Sequence, residues 1–215
     1  MKNALLLHGT GDSPESHWYP WLKSELEKRG WKVVAPALPD SAHPDAARWN
    51  AAALASGWKP DGDSVVIGHS AGAVEILRLL PELPEGTRIK AAVLVSAFDE
   101  DLSRHLVRNL FAVPFAWKML PIQVGFSYLL MRGTASLSGM FRTPFDFDAI
   151  RKHAERFVFV HADDDPYCPL PGAKYLSEKL GGEFVLLRGG KHFSVSTAGE
   201  RARRFPELLE IVEKL

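Results

Sequence analysis

Cysteine is almost missing from this chain: Cys168 is the single one in 215 residues, so no internal disulfide can form. That scarcity fits a reducing compartment. A charge excess is missing too. Lys plus Arg and Asp plus Glu number 26 each, for a formal net charge of zero. Such a balance supplies no overall field for nucleic acid or for an anionic membrane, and no nucleic-acid partner is expected. Arg201, Arg203 and Arg204 cluster locally and read as a solvated helix face. No internal repeat or low-complexity stretch interrupts the chain. The first apolar run, Ala4–Leu7, is too short for the core of a signal peptide. It reads as a buried strand, and a cytoplasmic protein is expected. His43, His105, His153 and His161 have no ligand spacing with other His, Cys or acidic residues, so no metal is expected.

What is present is an ordinary globular composition, 46% hydrophobic and 24% charged, in a length suited to one domain over residues 1–215. Strands alternate with helices along it. Short apolar runs predict strands at Ala4–His8, Trp31–Ala35, Ser64–Gly68, Ile89–Ala97, Arg156–Ala162 and Glu183–Leu187. Between them, Trp18, Leu22, Leu26 and Arg29 step at helical spacing behind Pro20, and Gly30 stops them. Further helices are expected at Ala46–Ser56, Ala71–Leu80, near Gly172–Leu180, and at Arg201–Leu215. Alternation of this kind builds parallel βαβ units, with right-handed crossovers placing helices on both faces of the sheet.

One stretch breaks the rhythm. Asp99 to Glu155 is too long for a simple strand–helix–strand connection. Within it, Leu110–Met131 carries Lys118 as its one charge. A membrane helix needs about 20 apolar residues, so the run is long enough to raise the question. Pro114 and Pro121 break a continuous helix, and a single crossing would split one sheet across the bilayer. The run reads as a helical lid at about 102–137, with Phe111, Phe115 and Trp117 as candidate lining of a substrate pocket. A homodimer contact or an interfacial contact through this lid are the alternatives.

The chemistry concentrates in Gly68-His69-Ser70-Ala71-Gly72, a G-x-S-x-G pattern between a predicted strand and a predicted helix. By chance alone the pattern arises in roughly one chain in ten of this Gly and Ser content. Its strand-to-helix setting is where such a turn lifts a serine hydroxyl clear of the backbone. A hydroxyl is a weak nucleophile and needs a base. Downstream, Asp163, Asp164 and Asp165 follow one strand, and Gly189-Gly190-Lys191-His192 follows the next. Both fall at carboxyl ends of strands, the edge that carries the serine. Ser70 is thus the candidate nucleophile, His192 the candidate base, and one of the aspartates the orienting acid. The other two aspartates read as solvated or capping groups. The Ala71 N–H, at a helix N-terminus, is a candidate oxyanion donor. The second donor is expected from the loop after the first strand, at Thr10, with Gly11 next. His8, His17, Trp18 and His69 read as structural supports of these loops, and Cys168 as an apolar filler.

These segments together resemble the small serine hydrolases of the retinoblastoma-binding protein nine and YdeN type, within the α/β-hydrolase superfamily. The resemblance is carried by His8-Gly9, by His17-Trp18-Tyr19-Pro20-Trp21-Leu22, by the Ser70 pentapeptide, by Ser138–Phe147, by Asp164-Asp165-Pro166 and by Gly190-Lys191-His192-Phe193. It implies a three-layer α/β-hydrolase fold with a mostly parallel sheet of about six strands. It implies a cofactor-free hydrolase acting on a small-molecule acyl substrate, a carboxylic ester, small amide or thioester. In the family the acid directly precedes the proline, which favours Asp165 over Asp164. The long lid departs from the family pattern and bears on substrate preference. The rival expectations are a hydrolase-fold protein that only binds ligands and a lipase-like interfacial enzyme.

Overall fold

A computed structural model describes residues 1–100, 102 and 137–215. Six parallel strands form its sheet in the order β2-β1-β3-β4-β5-β6. They are β1 (Asn3–Leu7), β2 (Lys32–Val34), β3 (Ser64–His69), β4 (Ile89–Val95), β5 (Ala154–Ala162) and β6 (Glu183–Leu187). Every pairing within this sheet is parallel. The four inner strands are nearly continuous apolar runs because both of their faces are covered.

Alternate residues feed two separate cores. Leu5, Leu7, Val66, Ala92, Leu94, Phe157 and Phe159 point to one face. There they meet α2 (Ala46–Ala55), α3 (Ala71–Leu79), α4 (Phe147–Lys152) and α5 (Leu170–Leu180). Ala4, Leu6, Val65, Ile67, Ala91, Val93, Val158 and Val160 point to the other, against α1 (Tyr19–Lys28) and a C-terminal helix, Pro206–Glu213. The result is the expected three layers.

Two local expectations change. The predicted closing helix Arg201–Leu215 is two elements: a 3-10 turn at Gly199–Arg203, then the helix Pro206–Glu213. Pro206 is the reason, since a ring without an N–H starts a helix and cannot continue one. Two short helices were not anticipated, α4 and α6 (Val195–Ala198), which makes Pro206–Glu213 α7. Six and four residues are too few to show a period, although Asp146 caps α4 by accepting from the Ala149 N–H.

The lid expected at about 102–137, with Phe111, Phe115 and Trp117, lies outside the described residues. Leu102 is buried in the first of these cores and Leu137 packs against it. Among the described residues no helix is long and apolar enough to cross a membrane.

The strand order also bears on where the candidate site lies. The chain runs from β1 outward to β2, then returns past β1 to β3. Ligands of open parallel sheets bind at such a reversal, outside the carboxyl ends of the two strands. Gly9 and Thr10 follow β1 there, and Ser70 follows β3.

Candidate active site

Ser70 occupies the turn between β3 and α3 with φ 55° and ψ −121°. Positive φ is costly for a residue with a Cβ and persists only where the surroundings enforce it. The surroundings here are rigid. The Ser70 N–H donates to the Val95 carbonyl at 2.9 Å, and its carbonyl accepts from Ala73 and Val74. Glycine is required on both sides. A Cβ on Gly68 would stand 2.2 Å from the Gly72 oxygen, and one on Gly72 would stand 2.2 Å from the Leu7 oxygen. Strand, turn and helix are therefore pressed against each other with no room for a methyl group.

The predicted acid and base meet. Nδ1 of His192 lies 2.9 Å from Oδ2 and 3.1 Å from Oδ1 of Asp165. The Asp165 carboxylate is fully bonded: Oδ2 also accepts from the Ser96 hydroxyl at 2.7 Å, and Oδ1 from the N–H groups of Tyr167 and Cys168 at 2.8 and 3.0 Å. Burial alone would raise its pKa. The His192 contact and the Cys168 and Ser96 hydrogen bonds outweigh burial and bring it to about 2. A carboxylate so fixed holds Nδ1 of the imidazole as the protonated nitrogen and leaves Nε2 free to work as a base. The His192 ring packs 5.0 Å from the Tyr167 ring and 4.8 Å from the His69 ring.

Asp163 is exposed and Asp164 half-buried, as the solvated reading expected, and both also bond to the loop after β6. Asp163 accepts from the Gly189 N–H at 2.9 Å, and Asp164 from the Lys191 N–H at 2.8 Å. Lys191 adds an ion pair to Asp164 at 3.0 Å. All three aspartates thus brace the loop that carries His192, and Asp165 alone of them contacts its ring.

On the other side of Ser70, the Gly11 N–H is engaged by the Ser41 carbonyl at 2.8 Å. The N–H groups of Thr10 and Ala71 have no partner among the described residues. Gly9 packs against the serine, with space for a Cβ only 3.1 Å from the Ser70 Cβ. His8 ties this loop to the next: its Nε2 accepts from the Leu38 N–H at 2.9 Å. Burial keeps that imidazole below its usual pKa, hence neutral.

Sequence reasoning missed Ser96, which holds Asp165 from the end of β4, and Asp12 and Tyr19, which stand behind the site. Position was the available signal for Ser96, just past a strand's carboxyl end. Five of the six non-glycine residues with positive φ among those described are His17, Ser70, Ser96, Lys191 and Phe193. Backbone strain is concentrated at this one edge of the sheet.

Asp165, Cys168 and His192 also form a cluster whose potential ligand atoms lie within 4.8 Å of one another. The donor set does not fit a resident metal. Both Asp165 oxygens are already occupied, and an ion would have to break the Asp165–His192 pair.

Comparison with known proteins gives the family. The chain is 24% identical over 217 residues to the serine hydrolase RBBP9 of Rattus norvegicus, covering 97% of this chain and 91% of that protein. It is 21% identical to YdeN of Bacillus subtilis over 89% of this chain and 86% of that one. The crystal structure of the ydeN gene product superposes with a TM-score of 0.78 at 20% identity, covering 100% and 98% of the two chains. Polyneuridine aldehyde esterase superposes at 0.64 with 17% identity, over 100% and 98%. Both likenesses in structure are of fold, that of the α/β-hydrolases. A family model described as serine hydrolase matches residues 4–210, and with nearly its whole length inside that match, the chain belongs to the serine hydrolase family.

Proposed function

We propose that this hydrolase cleaves carboxylic esters through an acyl-enzyme on Ser70, with small amides or thioesters as related substrates. Ser70 Oγ attacks the acyl carbon while its proton passes to Nε2 of His192. The resulting oxyanion is met by the N–H groups of Thr10 and Ala71. As the bond to the leaving group breaks, Nε2 returns that proton to the leaving oxygen. Water then repeats the sequence, giving its proton to Nε2 and releasing the acid. Asp165 takes no proton at any step. It orients the ring and stabilises the imidazolium that forms twice per turnover.

The observation that carries this reading is the Asp165–His192 pair at 2.9 Å, on the edge of the sheet where Ser70 is held in a strained turn. A protein that only bound ligands would have no need to hold an imidazole tautomer against a buried carboxylate at the sheet edge that carries Ser70.

The test is Ser70→Ala. Its kcat for an activated short-chain ester should fall on the order of 10⁶-fold. A fluorophosphonate should label the parent protein at Ser70 and leave the variant unlabelled. A folded parent that resists the probe would favour the binding-protein reading. A panel of activated esters of increasing acyl length, run beside aminoacyl amides, would define the substrate. Activity that jumps only past the solubility limit of the ester would point to the interfacial reading.

A further inference from the structure

His192 sits in a loop that needs holding. Gly189 and Gly190 precede it, and Lys191 and Phe193 on either side of it have positive φ. Asp163 and Asp164 fasten the exposed flank. The buried flank is fastened differently. Nε2 of His69 lies 2.8 Å from the main-chain oxygen of His192. A carbonyl only accepts, so Nε2 carries the proton. Burial above all brings the His69 pKa to about 3, so the ring is neutral and its Nδ1 is a bare acceptor.

That acceptor is met by the Tyr19 hydroxyl at 2.7 Å, which also lies 3.1 Å from Oδ2 of Asp12. The hydroxyl's single proton is therefore shared between an imidazole and a carboxylate, while its oxygen receives the Gly9 N–H at 3.4 Å. Oδ1 of Asp12 lies 3.0 Å from Nε2 of His17, and Nδ1 of His17 accepts from the Val195 N–H at 3.1 Å. Asp12 thus reaches the base loop twice, at His192 through Tyr19 and His69 and at Val195 through His17. It belongs to the loop that holds Gly9 and Thr10.

We propose that Asp12, Tyr19 and His69 form a clamp that positions His192 and couples its loop to the loop carrying the oxyanion donor Thr10. The proposal rests on the reading of His192 as the base. The members are positioning residues: His69 grips the backbone of His192, and its ring nitrogens do not meet the reacting atoms. Its reason lies in the geometry of attack, where a displacement of about 1 Å costs on the order of 100-fold in rate.

Two substitutions at His69 separate grip from bulk. His69→Leu fills the space and donates nothing. Its kcat should fall by roughly 100-fold while KM moves less than about threefold. His69→Gln places an amide N–H where Nε2 stood and should recover to within roughly tenfold of the parent. The low-field proton resonance of the Asp165–His192 hydrogen bond should be sharp in the parent and the Gln protein and exchange-broadened in the Leu protein. If His69→Leu does not fold, Tyr19→Phe removes one hydroxyl and should slow both turnover and fluorophosphonate labelling about tenfold.

Equal losses for Leu and Gln would reduce the clamp to packing and overturn it. So would a folded Leu protein with full kcat, or a Tyr19→Phe protein labelled at the parental rate. The two readings fail apart. Full activity in Ser70→Ala defeats the triad, whereas normal labelling of Ser70 with a fully active His69→Leu protein defeats the clamp alone.

Discussion

The carboxyl-end loops and the helix behind them each bury an acid, and they treat it in opposite ways. Asp165, its side chain 1% exposed, is ringed by four donors from Ser96 just past β4, from its own turn and from the loop after β6. Glu75, in α3 one and a half turns past Ser70, is also fully buried, yet neither carboxyl oxygen has a partner among the described residues. Donors draw the first acid's pKa down to about 2. Burial drives the second well above the ordinary range, with Arg78 opposing and Asp45 adding to the rise. The difference separates preorganisation from plain burial. At the site an anion is kept because its surroundings were built to hold it. Behind the site a carboxyl survives because it stays protonated.

Breaking the first half of the comparison should have the largest effect. Asp165→Asn keeps the shape and the oxygen but offers His192 an amide, which favours the wrong tautomer. Its kcat should drop by about 10⁴-fold with little change in fold. Steady-state kinetics beside a circular dichroism spectrum would check this, and a loss under tenfold would remove Asp165 as the orienting acid. The native carboxylate also stabilises the fold in a definite window. Its folded pKa lies below the unfolded 3.8, so that contribution is complete above 3.8 and drains away as pH falls toward 2.

That an aspartate among Asp163, Asp164 and Asp165 would meet His192 was legible from chain order, while the preference for Asp165, the one before Pro166, came from the family resemblance; it is Asp165 whose carboxylate contacts the ring. The six strands were legible too: strands buried on both faces are written as apolar runs. What could not be read lies in contacts between distant residues. The Tyr19–His69 and His69–His192 bonds join positions 50 and 123 residues apart. A lone His in an elbow and a Tyr opening a helix have no local pattern that marks them as partners. Glu75 was hidden by its type. A single Glu amid Ala71–Leu79 looks like the solvated face of an amphipathic helix, but seven of its eight neighbours in that helix are buried with it.

Glu75→Gln sharpens the second half of the comparison, with an intermediate effect. The folded chain keeps a proton on Glu75 that the unfolded chain releases above the ordinary value of 4.5. Stability therefore falls as pH rises, by about 1.4 kcal/mol per unit, until the folded carboxyl itself ionises. Gln carries no such proton. The stability advantage of Glu75→Gln over the parent should grow as pH rises above the ordinary carboxyl value of 4.5, read from urea midpoints at each pH. Parallel curves for the two proteins would show that Glu75 has found a partner and that the contrast with Asp165 is false.

The smallest effect should come from the neighbouring aspartate. Asp164 is half-buried at the surface, and its bonds are to the Lys191 N–H and ammonium. Asp164→Asn keeps an oxygen for the N–H and loses only an ion pair that water already screens. Its kcat should stay within about threefold of the parent, because a solvated pair contributes little to the loop's geometry. The pair of variants then forms a decisive contrast between adjacent residues. A dead Asp164→Asn beside an active Asp165→Asn would transfer the orienting role by one position. It would also mean that the buried, four-fold bonded carboxylate is not the one that catalysis uses.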